Sequence, residues 1–183
     1  SNNYLIVGCN GTKIPQSVVF INQYAFTRCN NLTSIAIPEG VQTIWNYAFY
    51  DCDALTTVTI PSTVVSMSNL SFEECENIDS FIVDENNEKY DSRDNCNALI
   101  LTAENALIKA FNTKVIPNTI ISIEDDAFKY CAKITSITIP ANVKEINDKF
   151  KYCNNLTTIS VAQGNQYYDS RNNYNGIIET ETN

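Results

Sequence analysis

A chain of 183 residues with 44% apolar residues, ten tyrosines and eight phenylalanines has enough apolar mass for one sizeable domain or for an elongated array. Its formal charge of −9 and pI near 4.4 exclude the clustered Lys/Arg footprint of a nucleic-acid binder and disfavour adsorption to anionic membranes. It contains no histidine, so the usual base for a thiol or serine nucleophile and the commonest metal ligand are both missing.

The N-terminal "SNNYLIVGCN" has no basic stretch ahead of its short apolar run, so it is not expected to be an intact signal peptide. No apolar run reaches the roughly 18 residues that would insert into a membrane. From residue 24 a pattern sets in: Phe-x-x-Cys recurs as Phe26/Cys29, Phe49/Cys52, Phe72/Cys75, Phe128/Cys131 and Phe150/Cys153. Successive copies are 23 residues apart in the first three and 22 in the last two.

After each doublet comes an alternating apolar segment: "LTSIAIP", "LTTVTIP", "IDSFIVD", "ITSITIP" and "LTTISVA". Period-two alternation in β-branched residues predicts a short strand. In five places an apolar residue and proline lead to apolar residues three and six positions beyond the proline, as in Ile37, Pro38, Val41 and Ile44, which predicts a tight, partly 3₁₀-like return path. Coils are thus predicted near 24–46, 47–69, 70–89, 126–148 and 149–167, with spacer segments at 1–23, 90–125 and 168–183.

A longer repeat underlies the first. "NYLIVGCNGTKIPQSVVFINQYAF" matches "NALIKAFNTKVIPNTIISIEDDAF" at an offset of 102, and "KYDSRDNCNALILTAEN" matches the C-terminal "YYDSRNNYNGIIETETN" at an offset of 78. The chain therefore holds two long units, the first with three Phe-x-x-Cys coils and the second with two, and reads as a window on a longer array. Neither end looks like the polar cap a stack of coils needs, so the terminal strands are expected to fray or to pair onward. A 23-residue element cannot bury its apolar side alone, so identical turns must stack into a continuous core.

Ala48, Phe49, Cys52, Leu55, Val58, Ile60, Pro61 and Val64, followed by Met67, carry a motif that resembles the BspA-like, or Treponema pallidum-type, leucine-rich repeat of bacterial and some protist surface proteins. The segment Tyr90 to Pro117 resembles the spacer found between coils in gut-bacterial members. The resemblance implies one right-handed leucine-rich-repeat solenoid over 1–183. In it a parallel sheet of short strands lines one face, short helical or 3₁₀ turns the other, and the spacers form small hairpin-like insertions. It further implies an extracellular or cell-surface location and adhesion to a host or bacterial surface protein or to a glycan, without catalysis or cofactor. A structural spacer with no ligand of its own is the alternative, and a carbohydrate-active enzyme a distant one. The coil that starts Asp148-Lys149-Phe150 departs from the motif and lacks one residue, so its geometry is expected to be distorted.

Five of the seven cysteines fall at one position per coil, where neighbouring strands would set them roughly 4.8 Å apart. Stacked side chains point the same way and an odd number cannot pair completely, so buried free thiols are expected over disulfides. Cys9 aligns with Phe111 and Cys96 with Tyr174, and the aromatic replacements predict an apolar slot for both. Glu73, Glu74, Glu76, Asp125 and Asp126 include the paired carboxylates a glycosidase would need, but adjacent carboxylates in turns read as solvated edges. "DENNEKYDSRDN" has the oxygen density of a calcium loop. Its second copy lacks Asp84, Glu85 and Glu88, so the segment reads as a polar turn in which Asp91 and Asp169 cap backbone amides. Four Asn-x-Ser/Thr triplets, at Asn10, Asn31, Asn69 and Asn155, are expected by chance where asparagine supplies about one residue in seven.

If Ile35 and Ile37 point inward, the other strand face is a ladder of small hydroxyls. Its candidate ligand-facing members are Ser34, Thr57, Thr59, Ser80, Ser136, Thr138, Thr158 and Ser160, with Ala36 and Ile82 interrupting it. Such a ladder suits a glycan or a peptide, and its regularity resembles the flat faces of ice-binding solenoids. Good strand propensity explains the same residues without any ligand. Trp45, Tyr47, Tyr50, Tyr130 and Tyr152 stand at coil edges, either as contact anchors or as cover for the convex side.

Overall fold

The computed structural model describes residues 3–171 and 175–180, which form two compact units divided between Ser92 and Arg93. The chain ends and Asn173 and Tyr174 lie outside the described residues, so neither the expected fraying nor the alignment of Cys96 with Tyr174 is addressed by them. Unit 1 contains β1 (Asn3–Leu5), β2 (Val18–Ile21), β3 (Ser34–Ala36), β4 (Thr43–Ile44), β5 (Thr57–Ile60), β6 (Ser66–Met67), β7 (Ser80–Val83) and β8 (Tyr90–Asp91).

Two sheets organise unit 1. Strands β3-β5-β7 pair in parallel, with Ser34, Thr57 and Ser80 in register and Ile35, Val58 and Phe81 in the next row. Strands β1-β2-β4-β6 form the second parallel sheet. The return path is therefore a strand as well as a turn. Its two-residue strands are flanked by i+3→i turn bonds, such as Val41 N to Pro38 O at 3.3 Å and Ala48 N to Trp45 O at 3.2 Å on either side of β4, which use up the neighbouring amides.

The core follows from the repeat. Phe26, Phe49 and Phe72 stack with centroids 4.8 Å apart and planes within 6°. Their backbones are tied as well, Phe26 N donating to Ala48 O at 2.7 Å and Phe49 N to Ser71 O at 2.8 Å. Burying each such ring contributes roughly 1.5–3 kcal/mol. Each coil turns through the left-handed region at bulky residues: Tyr24 and Tyr47 before the Ala-Phe pair, and Arg28, Asp51 and Glu74 two residues after the phenylalanine. Such φ values are uncommon without glycine, and the inter-coil ladder over-determines them here.

Unit 2 contains β9 (Ala98–Leu101), β10 (Ala106–Ala110), β11 (Ser122–Ile123), β12 (Ser136–Ile139), β13 (Glu145–Ile146), β14 (Thr158–Val161), β15 (Tyr168–Asp169) and β16 (Ile178–Glu179). Strands β12 and β14 are parallel, as are β10-β11-β13, while β9/β10 and β15/β16 are antiparallel and make the spacers hairpin-like. A 3₁₀ turn lies at Arg93–Asn95.

In unit 2 the phenylalanine stack loosens: Phe128 is fully buried, but Phe150 is half-buried and tilted by 36° at 5.1 Å. The missing residue is compensated chemically. Asp148 is buried, and its Oδ2 accepts from Phe128 N at 2.7 Å, where unit 1 uses the Ala48 carbonyl; its Oδ1 accepts from Phe150 N. Burial pushes the Asp148 carboxyl up, against the pull of those two amides.

Candidate binding faces

The cysteine of each coil has a structural task. Cys52 Sγ donates to Phe26 O at 3.0 Å, Cys75 Sγ to Phe49 O at 2.9 Å and Cys153 Sγ to Phe128 O at 3.1 Å. Cys131 makes the same kind of bond to Ala110 O at 3.4 Å. All seven cysteines are free thiols, and Cys29, Cys52, Cys75, Cys96, Cys131 and Cys153 are buried. Burial pushes Cys131 up to about 12 and Cys153 up to about 11, so both are inert at neutral pH. Cys9 departs from the expected apolar slot. It is exposed in a tight turn closed by Thr12 N to Cys9 O at 2.9 Å and by Thr12 Oγ1, and the bond from Thr12 lowers its thiol.

Glu73 is buried, contrary to the solvated-edge reading. Glu74 Oε2 accepts from Tyr50 Oη at 2.8 Å, which raises the phenol. Asp126 is held low by Lys151 at 2.7 Å and by Lys129. Among the described residues no group of three or more acidic or cysteine side chains could hold a metal ion.

In the supposed calcium loop the organising residue is an amide, and the sequence reading missed it. Buried Asn87 donates from Nδ2 to Pro61 O at 2.8 Å and Val64 O at 3.0 Å, and its Oδ1 accepts from Lys89 N and Tyr90 N. Asn165 repeats this with Pro140 O, Val143 O, Tyr167 N and Tyr168 N. Tyr90 and Tyr168 then accept from Met67 N and Ile146 N, each at 3.0 Å. Asp169 accepts from Arg171 N at 3.3 Å and pairs with its guanidinium, which lowers the carboxyl. The signal available was that Asn87 and Asn165 coincide at the offset of 78.

The hydroxyl rows lie outward. Ser34, Ser136, Thr138 and Thr158 are exposed, and Thr57, Thr59, Ser80 and Ser160 half-exposed, while Ile35, Val58, Phe81 and Ile137 between them are buried. Thr138 and Ser160 hydrogen-bond across strands at 3.0 Å. Ile82, 49% exposed, breaks the polar row.

The other sheet of unit 1 carries what the repeat pattern did not reveal. Tyr4 stacks on Phe20 at 4.6 Å and meets Trp45 edge-on at 6.3 Å. Trp45 is 43% exposed and borders a cleft of about 350 Å³. Of the other edge aromatics, Tyr47 stacks on Tyr24 at 5.5 Å and Tyr130 on Tyr152 at 4.7 Å, so each is already half-covered by a ring.

Parallel strands repeated every 22–23 residues, stacked phenylalanines and buried thiols on the carbonyls of the preceding coil define a leucine-rich-repeat β-solenoid of about six turns with almost no helix. The chain belongs to the family of the BspA type leucine rich repeat region, whose model matches six copies over residues 4–99 and 105–180. Among solved structures it is similar to a leucine-rich repeat protein from Eubacterium ventriosum (17% identity, TM-score 0.53, 80% of this chain and 58% of that one). It is also similar to a leucine rich cell surface protein from Faecalibacterium prausnitzii (25%, 0.52, 72% and 42%) and to the pneumococcal vaccine antigen PcpA (16%, 0.57, 82% and 50%). The matched region thus spans about half the length of these chains. No curated protein matches. No helix among the described residues is long and apolar enough to cross a membrane.

Proposed function

We propose that this segment is a non-catalytic binding module of a surface-displayed or secreted protein, presenting strand faces to a protein or glycan. The observation that carries this reading is the alignment of outward hydroxyls on consecutive strands, Ser34-Thr57-Ser80 in unit 1 and Ser136-Thr158 with Thr138-Ser160 in unit 2. Hydroxyls at strand spacing offer donors and acceptors to a ligand at little desolvation cost. The description of one structural neighbour as a cell surface protein supports the location. Catalysis is disfavoured by the chemistry: there is no histidine, and Glu74, Asp126 and Asp148 are spent on tyrosine, lysine and backbone partners respectively.

The test is a binding screen of the purified chain against extracellular-matrix proteins and a glycan array, with a Thr57→Lys/Thr59→Lys/Ser136→Lys/Thr138→Lys variant alongside. A ligand held by the wild type and lost by the variant supports a module that uses the strand face. No binding at micromolar concentration by either protein favours the spacer.

A further inference from the structure

We propose that the outward face of β1-β2-β4-β6 in unit 1 is a binding site for a neutral oligosaccharide, with Trp45 as the platform for one sugar ring. The proposal deepens the binding-module reading but places the ligand on a different sheet from the hydroxyl rows, so the two fail separately.

The residues in question are not demanded by the fold. The offset of 102 sets Tyr4, Phe20, Thr43 and Trp45 of unit 1 against Ala106, Ser122, Glu145 and Asn147 of unit 2. Strand register confirms the equivalence: Tyr4 pairs with Phe20 and Phe20 with Thr43, as Ala106 pairs with Ser122 and Ser122 with Glu145. One backbone thus carries small and acidic side chains in unit 2 and three aromatic rings in unit 1. Structural cover does not account for Trp45 or Tyr4 either, since they keep 43% and 46% of their surface in solvent.

The cleft beside the rings specifies the ligand. It is lined by Ile44 and Met67, both buried, together with Thr43, Trp45, Ser66, Ser68, Gln23 and Asn46. At about 350 Å³ it falls within the range of small-molecule pockets, about 300–1,000 Å³. No lining residue is charged, so a phosphate, carboxylate or ammonium entering it would lose hydration without gaining an ionic partner. A purely apolar side chain would strand the amides and hydroxyls. A neutral sugar satisfies both: its C–H face lies on the indole, and its equatorial hydroxyls meet Gln23, Asn46 and Ser66, which are exposed. Tyr4, edge-on to Trp45 and stacked on Phe20, extends the platform for a neighbouring residue of the chain.

Trp45 is the single tryptophan of the protein, so its emission reports on this site alone. The experiment titrates the whole chain with cello-, malto-, manno- and N-acetylchito-hexaose, with a heparin hexasaccharide as anionic control and gelatin as peptide control. At least one neutral hexasaccharide is expected to give a saturable blue shift. Calorimetry of the same sugar with Trp45→Ala is expected to show at least a tenfold loss of affinity, and Tyr4→Ala a smaller loss, with unchanged circular dichroism. Trp45→Phe should retain most of the binding, and the four-lysine hydroxyl variant should bind the sugar as the wild type does. The proposal is overturned if only heparin or gelatin shifts the emission, if no probe does so at millimolar concentration, or if the hydroxyl variant loses the sugar while Trp45→Ala keeps it.

Discussion

Units 1 and 2 run the same register through different side chains. In unit 1 three coils repeat with no deletion, the phenylalanines lie parallel, and the outward face of the second sheet is neutral and aromatic. In unit 2 one residue is missing, the last phenylalanine tilts, a buried carboxylate takes over a carbonyl's role, and the corresponding face carries Glu124 and Glu145 with Ser122. The backbone ladder is what the solenoid conserves internally; the outward residues vary with no cost to it. A surface that differs between two copies of one scaffold is therefore not dictated by the fold.

The largest expected effect is on the stacks themselves. Phe49, sandwiched between two parallel rings, should cost about 3–5 kcal/mol when changed to alanine, and half-buried Phe150 distinctly less, as read from urea unfolding. Equal losses would mean that the tilt in unit 2 carries no energetic penalty.

Next come the amide clamps. Asn87→Ala strands two carbonyls and two amides in a buried turn and should cost about 2–3 kcal/mol, whereas Asn165→Ala, with the same bonds but half-exposed, should cost about 1 kcal/mol. Asp148→Ala leaves Phe128 N and Phe150 N unsatisfied and should destabilise by about 1–3 kcal/mol, more than Asp148→Asn, which keeps one acceptor.

A pH effect separates the thiols. Cys131 has its folded pKa raised to about 12 from an ordinary value of 9.0, so between those values the native state holds the proton and the unfolded state does not. Its contribution is intact below pH 9.0 and is lost as pH rises towards about 12, at up to about 1.4 kcal/mol per pH unit. Cys131→Ala should flatten that slope in unfolding measured from pH 8 upward; an unchanged slope would assign it to other groups. The smallest effect is on labelling: native protein should take up iodoacetamide at Cys9 alone, and the remaining thiols should react only on unfolding.

The coils were legible because Phe26, Phe49, Phe72 and their cysteines recur at fixed spacing, and the outward hydroxyls because strand alternation has period two. Tyr4 and Phe20 were not legible, since each occurs once and a search for repeats discards singletons. Asn87 was hidden among many turn asparagines. The left-handed turns at Tyr24 and Tyr47 carry no glycine to announce them. Cys9 was misread because Phe111, its partner in the alignment, follows the hairpin of β9 and β10 and is buried, whereas Cys9 opens a solvent-facing turn.

In the proposed reading, one scaffold position is a binding site in unit 1 and plain surface in unit 2. The direct measurement is a hexasaccharide fluorescence titration of the wild type beside a Trp45→Phe/Asn147→Trp variant, which moves the reporter to the equivalent position. The account predicts a saturable shift in the wild type and none in the variant. Equal shifts in both would contradict it, because the sugar would then be sensing any exposed indole and not the face around Trp45.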